Sequence, residues 1–295
     1  PLLLRGQTRT TTALETWKFK KGIIKNAQSI EFDDTKWERV KVPHDWAIKG
    51  PFDKEIDKQT VAIIQNGEEV ATEKTGRTGA LPYIGEAWYR TEFSLNELTE
   101  NKRVLLQFEG AMSEPEVFVN GKKIGEWKYG YSYFYFDISP VVRTGKNKIA
   151  VRLKNVGKSS RWYPGAGLFR KVTITVKDKQ SFDQWGTVIT TPYIDDNEAK
   201  VVIKSAVNGD HLKLQTIIID QEGNQVTEET SSKIFGNEFE QHIKVKNPEL
   251  WSPEHPNLYY ALLKLYSNEE LVDEQKIRFG LRKIEYDRFA GCRIN

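Results

Sequence analysis

Val117-Phe118-Val119-Asn120-Gly121-Lys122-Lys123-Ile124-Gly125-Glu126-Trp127 decides the fold class. Two short runs flank Asn120-Gly121, a dipeptide that accepts the positive φ of both central positions in a type I′ turn, so the stretch predicts a β-hairpin. Outward from it, short alternating runs at 104–108, 131–136, 149–153 and 171–176 read as further strands. In the last, Val172, Ile174 and Val176 share one face while Thr173 and Thr175 share the other. Segments with helical period are nearly absent, which is the pattern of sandwiches and barrels.

A second series follows the polar stretch 177–181. Runs at 201–204, 212–219, 239–245, 258–266 and 272–279 are strand-like, with Asn208-Gly209 and Gly223-Asn224 as turns between them. Strands at this spacing over roughly a hundred residues fit an immunoglobulin-like sandwich, with the boundary near Gln180. Residues 49–81 differ: charges alternate with Gly67, Gly76 and Gly79, broken only by Val61-Ala62-Ile63-Ile64. So long a connection inside a compact domain is expected to be either a functional loop or a disordered one.

At 295 residues the chain is too long for one ordinary domain and comfortable for two. Charged residues at 29% and hydrophobic ones at 38% predict a soluble, folded chain. The 44 basic and 41 acidic side chains are well mixed, which argues against nucleic acid or an anionic membrane as partner. No stretch reaches the ~20 apolar residues that span a bilayer. The 8 Trp, 12 Tyr and 14 Phe suit sheet cores first and sugar platforms second. Cys292, the single cysteine, excludes an internal disulfide. Leu2 to Leu4 is too short for a signal-peptide core, but the chain starts at Pro1 without Met. That start leaves a leader removed earlier open; the compartment is not read from the sequence, with periplasmic or extracellular slightly favoured over cytoplasmic.

Motif chemistry yields no active site. His44, His211, His242 and His255 lie at no zinc-ligand spacing from one another or from Cys292. His211 and His242 fall at or within strands and read as surface or core residues. Gly165-Ala166-Gly167 begins like a dinucleotide fingerprint, but Arg170 stands where the third glycine belongs and no βαβ unit surrounds it. Carboxylate pairs arise anywhere in a chain with 41 acids. No cofactor and no metal are expected.

Six segments resemble family 2 glycoside hydrolases, which include β-galactosidases, β-glucuronidases and β-mannosidases. They are Trp17-Lys18-Phe19; Phe32-Asp33-Asp34 with Trp37 and Val42-Pro43-His44-Asp45-Trp46; Ala87-Trp88-Tyr89-Arg90; and Phe118-Val119-Asn120-Gly121-Lys122 with Phe136-Asp137-Ile138. The others are Ser160-Arg161-Trp162-Tyr163-Pro164-Gly165-Ala166-Gly167-Leu168-Phe169-Arg170, and Leu250-Trp251-Ser252-Pro253 through Phe279-Gly280-Leu281-Arg282. Each is weak alone; their order over almost the whole chain is not. The Pro-His-Asp-Trp and Arg-Trp-Tyr-Pro-Gly segments look most like bacterial β-galactosidases. Two stretches depart from the pattern, Met112 to Glu116 and Ala290-Gly291-Cys292-Arg293.

The resemblance implies an all-β chain: a jelly-roll sugar-binding domain over 1–179, an immunoglobulin-like sandwich over 180–286, and at 287–295 the start of a (β/α)₈ barrel. Retaining glycosidases need two carboxyl groups about 5–5.5 Å apart. In (β/α)₈ enzymes such groups lie on a barrel of about 250 residues. By itself this chain is therefore expected to be inactive and to have no catalytic residue. Its expected partners are a carbohydrate in the full-length enzyme and its own C-terminal barrel, with a homo-oligomer left open. A terminal β-galactoside is the implied substrate. A β-glucuronidase or β-mannosidase of the same family, a stand-alone carbohydrate-binding module, and an adhesion or scaffold pair of sandwiches are the alternatives.

Asp45 and Arg161 are the expected substrate-binding residues. Asp45 follows Pro43 where a strand ends, and Arg161 lies in a Gly- and Pro-rich connection; loops at one edge of a sandwich collect binding groups. In the family, residues of these two loop regions help form the sugar pocket. A carboxylate accepting from adjacent hydroxyls and a guanidinium donating to sugar oxygens supply the chemistry. The competing expectation is structural: Asp45 caps a turn, and Arg161 pairs with it or another acid to tie two loops together. His44, Trp162 and Tyr163 are expected to be packing residues.

Overall fold

The computed structural model describes residues 8–50, 52–61, 72–75, 84–160, 162–195, 197–231 and 237–295. Every regular element among them is a strand. They group into two compact units: Thr11–Val176, and Lys177–Asn295 with the described N-terminal residues up to Thr10.

The first strands are β1 (Arg9–Ala13), β2 (Thr16–Lys21), β3 (Glu38–Lys41), β4 (Lys58–Val61), β5 (Thr72–Thr75) and β6 (Gly85–Leu95). They continue as β7 (Lys102–Phe108), β8 (Glu116–Val119), β9 (Lys122–Glu126), β10 (Phe134–Asp137), β11 (Gly145–Asn155) and β12 (Val172–Asp178). A four-stranded sheet, β1-β12-β7-β10, faces a six-stranded sheet, β3-β2-β6-β11-β8-β9, in a jelly-roll sandwich. Alternation explains the core between them. Val104, Leu106, Phe108, Phe134, Val172 and Ile174 point in from one sheet; Trp17, Phe19, Tyr89, Val117, Val119, Ile149 and Val151 point in from the other. Each such large side chain, fully buried, stabilises by roughly 1.5–3 kcal/mol.

The opening hairpin is β8-β9. Asn120 and Gly121 both have positive φ (49° and 80°), as a type I′ turn requires. The strand expected at 131–136 starts only at Phe134. Residues before it turn back instead, where the Trp127 indole N–H donates to Ser132 Oγ at 2.8 Å. The outer face of the six-stranded sheet is also covered. Ala27, Trp37, Trp88 and Ala150 form a second small cluster there with Phe32 and Phe118.

The second unit contains β13 (Ser181–Ile194), β14 (Glu198–Asn208), β15 (Leu212–Ile219), β16 (Gln225–Ser231), β17 (Glu238–Lys246), β18 (Tyr259–Ser267) and β19 (Glu270–Phe279). Sheets β13-β14-β17 and β16-β15-β18-β19 enclose Phe182, Val201, Ile203, Phe239, Ile243, Leu214, Leu263 and Leu265. The first, second and fifth strands share one sheet and the rest share the other, an immunoglobulin-like arrangement. A hairpin of β20 (Ile284–Asp287) and β21 (Gly291–Ile294) follows, with exposed side chains throughout.

Of residues 49–81, the described part includes a two-stranded hairpin, β4-β5, with Lys58 opposite Thr75. The remainder lies outside the described residues.

Candidate functional site

Two loops of the first sandwich are laced together around Asp45. His44 N donates to Leu168 O at 2.8 Å and Trp46 N to Ala166 O at 2.9 Å, so the 44–46 backbone runs beside 166–168. Met112 and Gly167 exchange two backbone bonds, fixing the second loop from its other side. The glycines in this segment are structural requirements. Gly165 has φ +74°, and a Cβ on it would lie 3.2 Å from Asp45 Oδ2. Gly167 has φ +129°; a Cβ there would overlap the His44 carbonyl and sit 2.6 Å from the Tyr89 hydroxyl. What resembled a nucleotide fingerprint is a place where two backbones approach more closely than any side chain allows.

The Asp45 carboxylate is half-buried and heavily used. Oδ1 accepts from Ala47 N and Ala166 N, both at 2.9 Å. Oδ2 accepts from the Tyr163 hydroxyl at 2.6 Å. Burial first, and the hydrogen bond to Asp45 second, push the Tyr163 phenol above its ordinary pKa, so it stays a donor. The Ala47 bond caps a turn and the other two tie the loops. A carboxylate offers about four acceptor positions, so among the described residues one on Oδ2 is left without a donor. Arg161 lies outside the described residues.

Beneath Asp45, aromatic rings hold the loop. Phe19 meets His44 edge-on at 4.9 Å and stacks on Trp46 at 5.5 Å. His44 Nδ1 and the Tyr89 hydroxyl share a 2.7 Å hydrogen bond. Burial pushes the His44 pKa down and the Tyr89 pKa well up, so both stay neutral near pH 7. His44 is thus a packing residue, as expected. Trp162 is not: it is 57% exposed, and its indole N–H donates to the Tyr131 hydroxyl at 2.9 Å. Tyr129 and Tyr133 are exposed as well.

The described part of 49–81 reaches the same neighbourhood. Gln59 Nε2 donates to Ser160 O at 3.0 Å, and Lys158 N donates to Asp57 Oδ1. Sequence reasoning missed Tyr163 as the partner of Asp45, because the two are 118 residues apart. The one available signal was the run of small residues after Tyr163, which implies a tight backbone approach. Among the described residues no group of three or more His, Cys, Asp or Glu side chains is placed to hold a metal. The arrangement can bind and orient polar groups.

Comparison with known proteins agrees with this fold. The family model for the sugar binding domain of glycosyl hydrolases family 2 matches residues 16–186, and a second model, glycosyl hydrolases family 2, matches 185–282. Beta-galactosidase BoGH2A of Bacteroides ovatus is 32% identical over 290 residues, covering 95% of this chain and 32% of that protein. A putative beta-glucuronidase of Formosa agariphila is 31% identical over 296 residues, covering 98% of this chain and 27% of that protein. The crystal structure of a glycosyl hydrolase family 2 member from Bacteroides cellulosilyticus superposes with a TM-score of 0.81 at 28% identity, over 97% of this chain and 37% of that one. A beta-glycosidase from Bacteroides vulgatus matches equally well, with a TM-score of 0.81 at 27% identity over 97% of this chain and 35% of that one. The chain spans about a third of the length of the curated relatives it matches. With both models matched in order over most of its length, the chain belongs to glycosyl hydrolase family 2.

Proposed function

We propose that this chain is the sugar-binding and immunoglobulin-like portion of a retaining β-galactosidase whose two catalytic carboxyls lie on a barrel domain outside it. In the assembled enzyme Asp45 and Arg161 hold the terminal sugar, and the 49–81 segment borders that pocket. The observation that carries the binding role is the laced loop pair. It holds Asp45 by three hydrogen bonds and, among the described residues, leaves Oδ2 one acceptor position; exposed Trp162 precedes the Tyr163 that meets Asp45, and Gln59 reaches Ser160 in the same connection. Rigid presentation of a partly solvated carboxylate is what recognition of adjacent sugar hydroxyls needs.

The glycone is read from relatives. Beta-galactosidase BoGH2A and the beta-galactosidase of Thermoanaerobacter pseudethanolicus support a galactoside. The Formosa agariphila proteins named beta-glucuronidase or putative beta-glucuronidase favour a second reading, a β-glucuronide. The test assays the isolated 295-residue chain and the whole protein that carries it against aryl β-galactoside, β-glucuronide and β-mannoside. Galactoside turnover by the whole protein and none by the chain is expected. Turnover of the glucuronide alone would replace the glycone, and turnover intrinsic to the isolated chain would overturn the division of labour.

A further inference from the structure

A second cleft lies on the outer face of the six-stranded sheet, away from the Asp45 loops. Its volume is about 460 Å³, and Lys18, Asp34, Arg39, Arg90, Glu92 and Lys148 supply its charge. The size falls within the roughly 300–1,000 Å³ of small-molecule sites and far exceeds the space one water fills.

Strand register creates the charge. Lys18 on β2 stands opposite Arg39 on β3 and opposite Arg90 on β6, so three cations form one row across neighbouring strands. Like charges directly opposite one another in a sheet repel. Elsewhere in the sheets several cations are paired with acid. Lys123 reaches Glu116 and Glu126, Arg152 reaches Glu86 and Glu116, Lys204 reaches Glu240, and Lys244 reaches Glu198.

The row has one carboxylate among its three cations. Asp34 receives Lys18 Nζ on Oδ1 at 2.5 Å and Arg90 Nε on Oδ2 at 2.8 Å. Burial pushes its carboxyl up, but hydrogen bonds from Lys18 and Arg90 outweigh that and hold it below the ordinary aspartate value. The charge of Asp34 is therefore committed to those two. Arg90 also donates to Ala27 O and lies over the Phe32 ring, which locks its buried guanidinium in place. Lys148 Nζ is held at 2.9 Å by the Ile30 carbonyl, a neutral partner, and Glu92 is the residue opposite it across the sheet. Arg39 is exposed and has no ion-pair or hydrogen-bond partner among the described residues. Glu92 faces Lys146 at 3.4 Å at the cleft's margin. The cleft thus combines a concave shape with four cations against two carboxylates, a formal excess of two positive charges.

We propose that this cleft is an accessory site for an oxyanion carried on a saccharide, the sulfate or carboxylate of an anionic glycan. The guanidinium of Arg39 and the ammonium of Lys148 meet the oxyanion, and the remaining volume takes the sugar ring that bears it. A guanidinium suits both anions because its N–H fork matches two oxygens at once. The saccharide part rests on the function proposed above; the oxyanion part rests on the cleft and its charged lining alone.

Calorimetric titration of the 295-residue chain tests it with four probes: a sulfated galacto-oligosaccharide, a uronic-acid oligosaccharide, a neutral galacto-oligosaccharide and inorganic sulfate. At least one anionic oligosaccharide should bind about fivefold or more tightly than the neutral one and than sulfate, with affinity falling as salt rises. Arg39→Gln and Lys148→Gln should each remove most of that preference. The exposed Arg39 side chain has no hydrogen-bond or ion-pair partner among the described residues, so its variant should keep the fold. Equal binding of neutral and anionic oligosaccharides, or an unchanged preference in Arg39→Gln, overturns the site. Inorganic sulfate binding as tightly as the oligosaccharides overturns the saccharide. Any of these results leaves the glycosidase reading to be judged by turnover in the whole protein.

Discussion

Asp45 and Asp273 show how differently two regions of this chain use one carboxylate. In the second unit Asp273 is fully buried and accepts four bonds. Arg9 supplies Nε at 2.8 Å and Nη2 at 2.5 Å, and the backbone N–H groups of Phe182 and Glu274 add 3.0 Å and 2.9 Å contacts. Every acceptor position is filled, so Asp273 can only hold structure. In the first unit Asp45 is half-buried, accepts three bonds from neutral donors among the described residues, and keeps one position open. Saturation marks a staple; a rigid carboxylate one bond short of saturation can both staple and bind. The difference lies in the supply of donors around each group, not in residue type.

The sharpest break of the comparison removes the saturated member. Asp273→Ala should destabilise the second unit by about 3 kcal/mol, because it strands a paired guanidinium and two backbone donors; partial exposure of Arg9 keeps the loss at the low end for a broken buried pair. Calorimetric unfolding that leaves the second unit's transition unmoved would show that Asp273 is no staple. Next in size is Gly167→Ala. Its new Cβ meets the His44 carbonyl in a left-handed backbone, which should cost about 2 kcal/mol and loosen the Asp45 loops. The readout is the first unit's transition together with amide exchange at Ala47 and Ala166.

Asp45 itself separates its two roles by choice of substitution. Asp45→Ala deletes three acceptor bonds and should lower the first unit's midpoint. Asp45→Asn keeps an oxygen for Ala47 N and Ala166 N, and the Tyr163 hydroxyl can turn to accept from the new amide. Stability should then hold, while kcat/KM of the whole enzyme falls about tenfold, roughly 1.4 kcal/mol for a lost charge-assisted bond. Normal kinetics in folded Asp45→Asn would leave Asp45 with the structural role alone.

How much of this was legible follows from where the information sits. The Asn120-Gly121 turn and the alternation of Val172, Ile174 and Val176 are local, and the structure has both. Two strands of the second sandwich were not anticipated, β13 and β16. β13 is interrupted by register shifts near Trp185, whose φ is +58°, so its period of two breaks down. β16 carries Thr227, Glu228, Glu229 and Thr230 at a sheet edge, where solvent replaces the hydrophobic signal. The loop position of Asp45 could be read from Pro43 and the flanking strand. Its partners Tyr163 and Ala166 could not, since the fold brings them in from more than a hundred residues away. The cation row at Lys18, Arg39 and Arg90 was equally hidden, because only the pairing register sets it side by side.

The smallest expected effect is also the most discriminating. Tyr163→Phe removes one donor from Asp45 Oδ2 and nothing else, since the ring can stay where it is. Because the carboxylate is half-buried, water can replace the lost hydroxyl, and the cost should be about 1 kcal/mol or less in the first unit. Two acceptor positions on Oδ2 then become free. If Asp45 binds sugar, the variant should keep or slightly improve affinity for a terminal galactoside in the whole enzyme while losing a little stability. If Asp45 is only a staple like Asp273, the loops loosen and both quantities fall together. Measuring KM and the first unit's midpoint on the same preparation separates the two, and a rise in KM together with a fall in the midpoint would place Asp45 with Asp273.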